Sequence, residues 1–264
     1  MSVDDYGGQR HNMEDDTMVD TLRAQASIIW PLERGLLVRD GAGANGRVLD
    51  IACGTGEILR RVERDLRPAF VTGIDLFHGH LLRAPKPVAK GDGYRLPFAD
   101  DTFDLALARH VTQALEHPVT FLREAHRVLR PGGRIHALAE DYAGLFFDTE
   151  DYAVANHFPE MSEAFRPRGT DLYQGRRAYR HLLEAGFADV RVDPLVVDTQ
   201  NADRDTFASV LMHWRDGYAG VLGEITGKGE TEMRRRFDVM VAGILDETRY
   251  TAWLLFVVSG TKPA

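Results

Sequence analysis

The chain has 264 residues, 44% of them apolar, a length and composition that suit one elaborated domain with a sizeable core. Its formal net charge of −8 at pH 7 argues against long-range attraction to a polyphosphate, so we expect no nucleic-acid partner. The single cysteine, Cys53, excludes an intrachain disulfide framework, and the longest apolar run, residues 252–258, is far shorter than the roughly 20 residues of a membrane helix. We therefore expect a cytoplasmic protein with no membrane partner; a homodimer stays open.

The N-terminal region, residues 1–46, is predicted to form a helical cap on the rest of the chain. Residues 1–17 are acidic, unlike a secretory signal, and carry no periodic apolar pattern. Two helices are predicted between Met18 and Val38, separated at Trp30-Pro31 because proline suits the first turn of a helix. A glycine-rich loop, residues 41–46, follows them.

Residues 47–140 alternate between short apolar strands and amphipathic helices. Strands are predicted at residues 47–51, 70–76, 88–91, 103–108 and 134–139, with helices at 57–66 and 118–129. Strands that alternate with helices pair in parallel through right-handed crossovers, so this region predicts a doubly wound α/β sheet.

The pattern changes after residue 140. Residues 141–175 are rich in aromatic side chains, show no clear strand, and are expected to form a lid over the substrate. Residues 176–264 are predicted to complete the core, with strands at 188–197 and 253–258. Two strongly amphipathic helices, at about 203–246, are predicted as an insertion in that part.

The most informative stretch is residues 48–57, where a buried strand runs into a glycine turn and then a helix. Glycines in such a turn let the backbone approach a ligand closely. Asp50 precedes the turn, and Asp75 closes the next strand, where a carboxylate can accept hydrogen bonds from both hydroxyls of a ribose. Gly91-Asp92-Gly93 follows the third strand, where the carboxylate can accept from an adenine amine.

At these residues, and at Pro131-Gly132-Gly133 before the fifth strand, the chain resembles the class I S-adenosyl-L-methionine (SAM)-dependent methyltransferases, in particular the branch that acts on small molecules. The resemblance covers about residues 47–140. It implies a Rossmann-like, doubly wound, mostly parallel seven-stranded sheet of order 3-2-1-4-5-7-6, with N-terminal and inserted helices forming a lid. It also implies SAM as cofactor and S-adenosyl-L-homocysteine (SAH) as product.

The resemblance assigns cofactor contacts residue by residue. The methionine portion of SAM would be held by Asp50 and by the backbone of Ala52, Cys53, Gly54, Thr55 and Gly56. The adenosine would be held by Asp75 at the ribose, by Leu76 beside the adenine, and by Gly91, Asp92 and Gly93 at the adenine amine. Ala108 and Arg109 would place a backbone carbonyl near the methionine ammonium. Each acid also has a plainer interpretation as a turn or strand-end residue.

The acceptor must be aligned behind the methyl group, about 3 Å away, and a protonated acceptor also needs a base. The candidate catalytic residues follow the fourth and fifth strands: His110, Glu140 and Asp141. The predicted substrate-binding residues are His110, Glu140, Tyr142, Phe146, His213 and Trp214. For His110 the alternative is packing, or hydrogen bonding without proton transfer. Glu140 and Asp141 are otherwise ordinary polar residues at a strand end, and the aromatic side chains otherwise serve lid packing.

The sequence therefore predicts in-line (SN2) transfer of a methyl group from SAM to a nitrogen or oxygen atom of a small acceptor, an aromatic or heteroaromatic secondary metabolite. Two alternatives stay open: a SAM-binding protein or enzyme that does not methylate, and an RNA or protein methyltransferase. A nicotinamide-dependent oxidoreductase is disfavoured because the turn after Asp50 lacks the third glycine of Gly-x-Gly-x-x-Gly. No metal site is predicted, since no Asp-Asn pair is placed to hold magnesium beside the methyl group.

Overall fold

A computed structural model of the protein describes residues 16–264, so the expectation for residues 1–15 lies outside the described residues. The helices are α1 (Asp16–Asp40), α2 (Glu57–Arg61, continued by a π-helical turn), α3 (His78–Leu81), α4 (Pro118–Val128), α5 (Tyr152–Ala155), α6 (His157–Phe165), α7 (Gln174–Glu184), α8 (Arg204–Thr226) and α9 (Glu230–Leu245). The strands are β1 (Arg47–Ile51), β2 (Phe70–Asp75), β3 (Val88–Lys90), β4 (Phe103–Arg109), β5 (Leu129–Phe147), β6 (Ala188–Asp198) and β7 (Thr251–Thr261).

The strands form one seven-stranded sheet in the order β3-β2-β1-β4-β5-β7-β6, which confirms the predicted fold. Strands β1 to β5 run parallel, and β7 lies antiparallel between β5 and β6. Asp50 of β1 is in register with Gly73 on one side and Leu107 on the other. The carboxyl ends of β1, β2 and β4 therefore meet at one edge of the sheet, where α/β proteins bind ligands.

Helix α1 is a single helix that runs through Pro31, so the predicted break at Trp30-Pro31 is wrong. Proline inside a helix costs about 3 kcal/mol, but tertiary packing supplies most of the stability of a protein helix. Here Ile29 and Leu37 are fully buried, and the Trp30 indole donates a hydrogen bond of 2.9 Å to Asp65. This packing holds the helix together across the proline.

Strand β5 continues to Phe147, so residues 141–147 belong to the sheet, where no strand was expected. The extension pairs with the first residues of β7, after a shift of register between Glu140 and Leu145. Gly144 lies at this irregularity, and a Cβ atom there would come within 2.9 Å of the Leu254 carbonyl oxygen. The close approach of the two backbones explains the glycine.

A helical layer covers the edge of the sheet where β1, β2 and β4 end. Helices α8 and α9 pack against each other, and α8 also packs against α1 and α6. One apolar core joins these helices to the end of β5 through residues such as Phe158, Trp214, Phe237 and Trp253. Among residues 16–264, no helix is long and apolar enough to span a membrane.

Candidate functional site

A cavity of about 240 Å³ lies between the carboxyl ends of the central strands and the helical layer. Most of the predicted cofactor residues line it: Asp50, Ala52, Cys53, Gly54, Thr55, Asp75, Leu76, Gly91, Gly93 and Arg109. Gly56, Asp92 and Ala108 lie beside the cavity without lining it. The glycine turn, the end of β2 and the segment after β3 thus form one wall.

The turn after β1 has an unusual backbone. Ala52, Gly54 and Gly56 have φ values of 62°, 54° and 75°, in the left-handed region that favours glycine. A Cβ atom on Gly56 would collide with Pro85 and approach Ala84 closely. Burial raises the pKa of the Cys53 thiol in this turn, which argues against its acting as a nucleophile.

Asp75 ties the glycine turn to the end of β2. Its Oδ2 accepts a hydrogen bond of 2.8 Å from the Gly54 amide, and its Oδ1 accepts one of 2.8 Å from the Phe77 amide. A carboxylate oxygen can accept two hydrogen bonds. Asp75 therefore keeps the capacity to accept from the hydroxyls of a ligand in the cavity.

Asp50, on the strand that leads into the turn, is a buried acid. Burial raises its pKa to about 7, with further increases from the negative charges of Asp75 and Glu33 and an opposing effect from Arg109. A positive charge placed beside such a buried carboxyl group stabilises its ionised form. The turn therefore offers a site for a cationic group.

Arg109 brings a buried network of charges to the cavity. Its Nε and Nη2 each donate a hydrogen bond of 2.7 Å to a different oxygen of Glu33. His136 continues the network, with Nε2 3.2 Å from Glu33 and Nδ1 2.8 Å from Asp40. Glu33, Asp40 and His136 are all buried, so α1 is joined to β4 and β5 by alternating charges.

The charges in this network stabilise each other. Burial opposes ionisation of Glu33, but Arg109 and His136 outweigh it and lower the pKa of Glu33 to about 2. Burial also opposes a charge on His136, yet hydrogen bonds to Asp40 and Glu33 raise its pKa. Sequence reasoning missed these groups, although Glu33 and Asp40 lie seven residues apart, on one face of a helix.

A second polar cluster lines the cavity beside aromatic side chains of α6 and α8, against which its tyrosine packs. His110 follows β4 with a φ of 51°, and its Nδ1 is 3.0 Å from Glu140 Oε1, within ion-pair distance although outside good hydrogen-bond geometry. Glu140 Oε2 accepts hydrogen bonds from Gln113 Nε2 at 2.6 Å and from the Tyr142 hydroxyl at 2.9 Å. All four residues line the cavity. Gln113 was missed; its position on the short turn just after β4 is the signal that could have found it.

Three of the predicted catalytic and substrate-binding residues do not line the cavity. Asp141 is held by Arg176, whose Nε and Nη2 lie 2.5 and 2.8 Å from its carboxylate. Phe146 is 55% exposed, because side chains alternate along β5 and Leu145 takes the inward position. His213 lies on α8 outside the cavity lining, whereas its neighbour Trp214 lines the cavity.

The cover over this second cluster is apolar. Trp214 packs edge-on against Trp253, with ring centroids 5.6 Å apart, and Phe158 packs against Trp214 in the same way. The cavity-lining residues of the cover are Phe158, Met161, Phe165, Leu172, Trp214, Tyr218, Val221, Leu222 and Phe237. The cavity thus has a charged end at the glycine turn and an apolar end with one polar cluster.

Known proteins share the central part of this sequence. Residues 49–137 match the family model described as a methyltransferase domain. The ubiquinone/menaquinone biosynthesis C-methyltransferase UbiE of Desulfotalea psychrophila is 36% identical over 108 residues, which cover 38% of this chain and 44% of that protein. The chain spans less than two-thirds of the length of the curated relatives it matches.

Solved structures share the fold over most of the chain. The [4+2]-cyclase SpnF has a TM-score of 0.55 at 20% identity, covering 87% of this chain and 80% of that one. Phosphoethanolamine N-methyltransferase 2 of Haemonchus contortus, in complex with phosphomonomethylethanolamine and S-adenosylhomocysteine, has a TM-score of 0.58 at 18% identity, covering 97% of this chain and 60% of that one. At these identities the likeness is one of fold.

Proposed function

We propose that this chain, whose core is a class I SAM-dependent methyltransferase domain, transfers the methyl group of SAM to an oxygen or nitrogen atom of a small apolar acceptor. One observation carries the proposal: the residues suited to SAM and the His110–Glu140 pair line the same cavity. An acceptor seated against His110 would share that cavity with the cofactor. Such an arrangement favours transfer by proximity and orientation.

The charged end of the cavity fits SAM. Asp75 retains lone pairs for the ribose hydroxyls, and Gly93, which lines the cavity, packs so closely on the Phe121 ring that a Cβ atom would overlap it. Asp50 suits the methionine ammonium, and the guanidinium of Arg109, held by Glu33, suits the methionine carboxylate. The opposite charges of the amino-acid group thus each have a partner.

His110 is the residue we assign as the base. The negative charge of Glu140 beside Nδ1 favours a proton on that nitrogen, which leaves a lone pair on Nε2. Within the described part of the chain, Nε2 has no hydrogen-bond partner. It is therefore able to take the proton of an acceptor hydroxyl or amine.

SAM, held by Asp50, Asp75 and the glycine turn, would supply an activated methyl group and leave as SAH, and His110 would take the proton that the acceptor atom loses on methylation. The residues around this point exclude water, since Phe158, Trp214 and Leu222 close the cavity above it. These rings and the apolar cover support an aromatic or heteroaromatic acceptor.

The test is methyl transfer by the purified chain with SAM and a panel of phenols, catechols and heteroaromatic amines, followed by mass spectrometry of products and SAH. Asp75→Ala should weaken SAH binding at least about 10-fold. His110→Gln should lower kcat about 10²-fold or more while SAH affinity changes little. Asp238→Asn, an exposed acid on α9, is the matched control. If Asp75→Ala bound SAH as tightly as the unmodified protein, the cofactor assignment would be contradicted.

A non-methylating function on the same cofactor site is the second candidate. The fold shared with a protein described as a [4+2]-cyclase motivates it. Tight SAM binding without a mass shift in any acceptor, together with SAM-stimulated conversion of a substrate, would favour this candidate over methyl transfer.

A further inference from the structure

We infer that the acceptor carries two adjacent hydroxyl groups on a neutral apolar body, and that Gln113 binds the hydroxyl that is not methylated. The inference rests on the proposed function and names its substrate class. It is carried by two buried hydrogen-bond acceptors at the apolar end of the cavity, Gln113 Oε1 and His110 Nε2.

The orientation of the Gln113 amide is set by its neighbours. Nε2 donates to the His110 carbonyl oxygen at 2.9 Å and to Glu140 Oε2 at 2.6 Å. An amide nitrogen has two hydrogens, so both are used. The reversed orientation would place Oε1 against a carbonyl and a carboxylate oxygen, which repel it.

Gln113 Oε1 can therefore only accept a hydrogen bond. The residue is 7% exposed, and Oε1 has no partner within residues 16–264. A buried acceptor left without a donor is unfavourable. Because Gln113 lines the cavity, a ligand there can supply the missing donor.

His110 Nε2 is the second acceptor, and it belongs to the same turn of chain. The hydrogen bond from Gln113 Nε2 to the His110 carbonyl oxygen holds the two residues together. One hydroxyl has one proton and cannot donate to both acceptors at once. Both side chains also contact the Glu140 carboxylate, His110 through Nδ1 at 3.0 Å and Gln113 through Nε2 at 2.6 Å, so the two acceptors belong to neighbouring side chains of one cluster. A ligand that satisfies both must therefore bring two donors, and the closeness of the side chains favours donors on adjacent atoms.

The surrounding cover disfavours an anionic acceptor. Its residues are apolar or aromatic, and Arg109, the arginine of the described cavity lining, is already paired with Glu33. Glu140, the acid at the acceptor end, already faces His110, Gln113 and Tyr142. A ligand carboxylate would thus be buried beside the Glu140 carboxylate without a counter-charge of its own.

Two adjacent hydroxyls fit better than one primary amine, which also has two hydrogens. A neutral amine attacks with its own lone pair and needs no base beforehand, whereas a hydroxyl gains from losing its proton to a base. The His110–Glu140 pair provides that base. In the reaction, one hydroxyl oxygen gains the methyl group and gives its proton to His110 Nε2. The other hydroxyl donates to Gln113 Oε1 and keeps its proton.

The same arrangement limits the reaction to one methyl group. The product is a monoether, which has one donor in place of two. The monoether cannot donate to both Gln113 and His110, so it should bind more weakly than the diol and react more slowly.

The experiment compares 4-ethylcatechol, 4-ethylphenol, 4-ethyl-2-methoxyphenol and 4-ethylaniline, with 1,2-octanediol as the aliphatic diol. We expect kcat/KM for 4-ethylcatechol to exceed that for each single-donor phenol at least about 10-fold, with a monoether as the sole product. Equal rates for the catechol and the phenol, a faster aniline, or accumulation of the diether would overturn the inference and leave methyl transfer intact.

A binding measurement separates this inference from the proposed function. If SAM binds but no probe is methylated, the proposed transfer fails. In that case the affinity of each probe for the SAH complex, measured by tryptophan fluorescence, tests whether the cavity recognises two adjacent hydroxyls. A catechol at least about 10-fold tighter than the phenol supports it, and equal affinities overturn it.

Gln113→Met tests the residue itself. This variant keeps the size of the side chain and removes Oε1, so the catechol-to-phenol ratio should fall towards one. Gln174→Met is the matched control, because Gln174 is also buried with an unpartnered Oε1 in the described chain but lies outside the cavity lining. If Gln113→Met no longer binds SAH, Gln113→Asn replaces it. This variant keeps an amide but draws its oxygen back from the cavity, so it should also lower the catechol-to-phenol ratio. An unchanged ratio would overturn the inference.

Discussion

Glu33 and Arg109 form a bidentate ion pair, in which each Glu33 oxygen lies 2.7 Å from a guanidinium nitrogen. Glu33 lies on the N-terminal helix α1, and Arg109 lies at the end of β4. The same helix contributes Leu22, Gln25 and Ala26 to the cavity wall. The ion pair that attaches α1 to the sheet therefore also holds in place a helix that forms part of the cavity wall.

Removing the charge of Glu33 should destabilise the protein and weaken cofactor binding. Glu33→Gln leaves Arg109 buried without its counter-charge, a change that typically costs about 3–5 kcal/mol. Urea unfolding gives the stability, and calorimetry gives the SAM affinity. Asp20→Asn is the control on the same helix, since its pair with Arg23 is exposed and should change stability by less than about 0.5 kcal/mol. Equal effects of the two changes would contradict the role given to Glu33.

The stability of the protein should decline on the alkaline side through His136. Its pKa is raised in the folded protein, where hydrogen bonds to Asp40 and Glu33 overcome burial, while an unfolded histidine titrates near about 6.5. Its contribution is therefore complete below about pH 6.5 and is lost as the pH rises through the folded-state pKa.

Unfolding free energies between pH 6 and pH 10 would measure this loss, and His136→Gln should flatten the curve. The pKa values of Glu33, about 2, and of Asp40 are lowered, so their contributions are present at neutral pH and are lost only in acid. A parallel alkaline decline in the wild-type and His136→Gln proteins would count against the assignment.

SAM affinity should fall as the pH drops below about 7. Burial raises the pKa of Asp50 to about 7, and a cation beside it favours the ionised form, so binding releases a proton when the carboxyl group is protonated. Below that pKa the dissociation constant should rise by up to about 10-fold per pH unit. Calorimetry between pH 5.5 and 8.5 measures the trend. Asp50→Asn should bind weakly and lose the dependence.

The glycine turn should not tolerate a side chain at Gly56. Gly56→Ala must hold an L-residue at a φ of 75° and place its Cβ against Pro85, which together should cost about 2 kcal/mol or more and weaken SAM binding. Gly43→Ala is the matched control, because a Cβ atom there meets nothing within 4 Å. Thermal unfolding and SAH titration compare the two. Similar losses in both would mean that the turn itself is not the cause.

The sheet and the glycine turn could be predicted from the sequence because both depend on local pattern, whereas the SAM contacts assigned to them stay predictions. Apolar runs alternating with amphipathic helices specify parallel strands, and acids that follow such strands arrive at one edge of the sheet. The placement of Asp50 before the turn and of Asp75 at the end of a strand could be predicted without any knowledge of distant contacts. The expected N or O acceptor followed only from aromatic composition and stays a prediction.

What tertiary structure decided depends on contacts between distant parts of the chain. Helix α1 passes through Pro31 because its buried face packs on the core, and β5 extends to Phe147 because β7 pairs with it. His136 meets Glu33 across 103 residues, and Gln113 meets Glu140 across 27. Local propensity and periodicity record neither packing nor pairing at such separations, so the sequence alone determined the fold and the turn, and the tertiary structure determined which polar side chains work together.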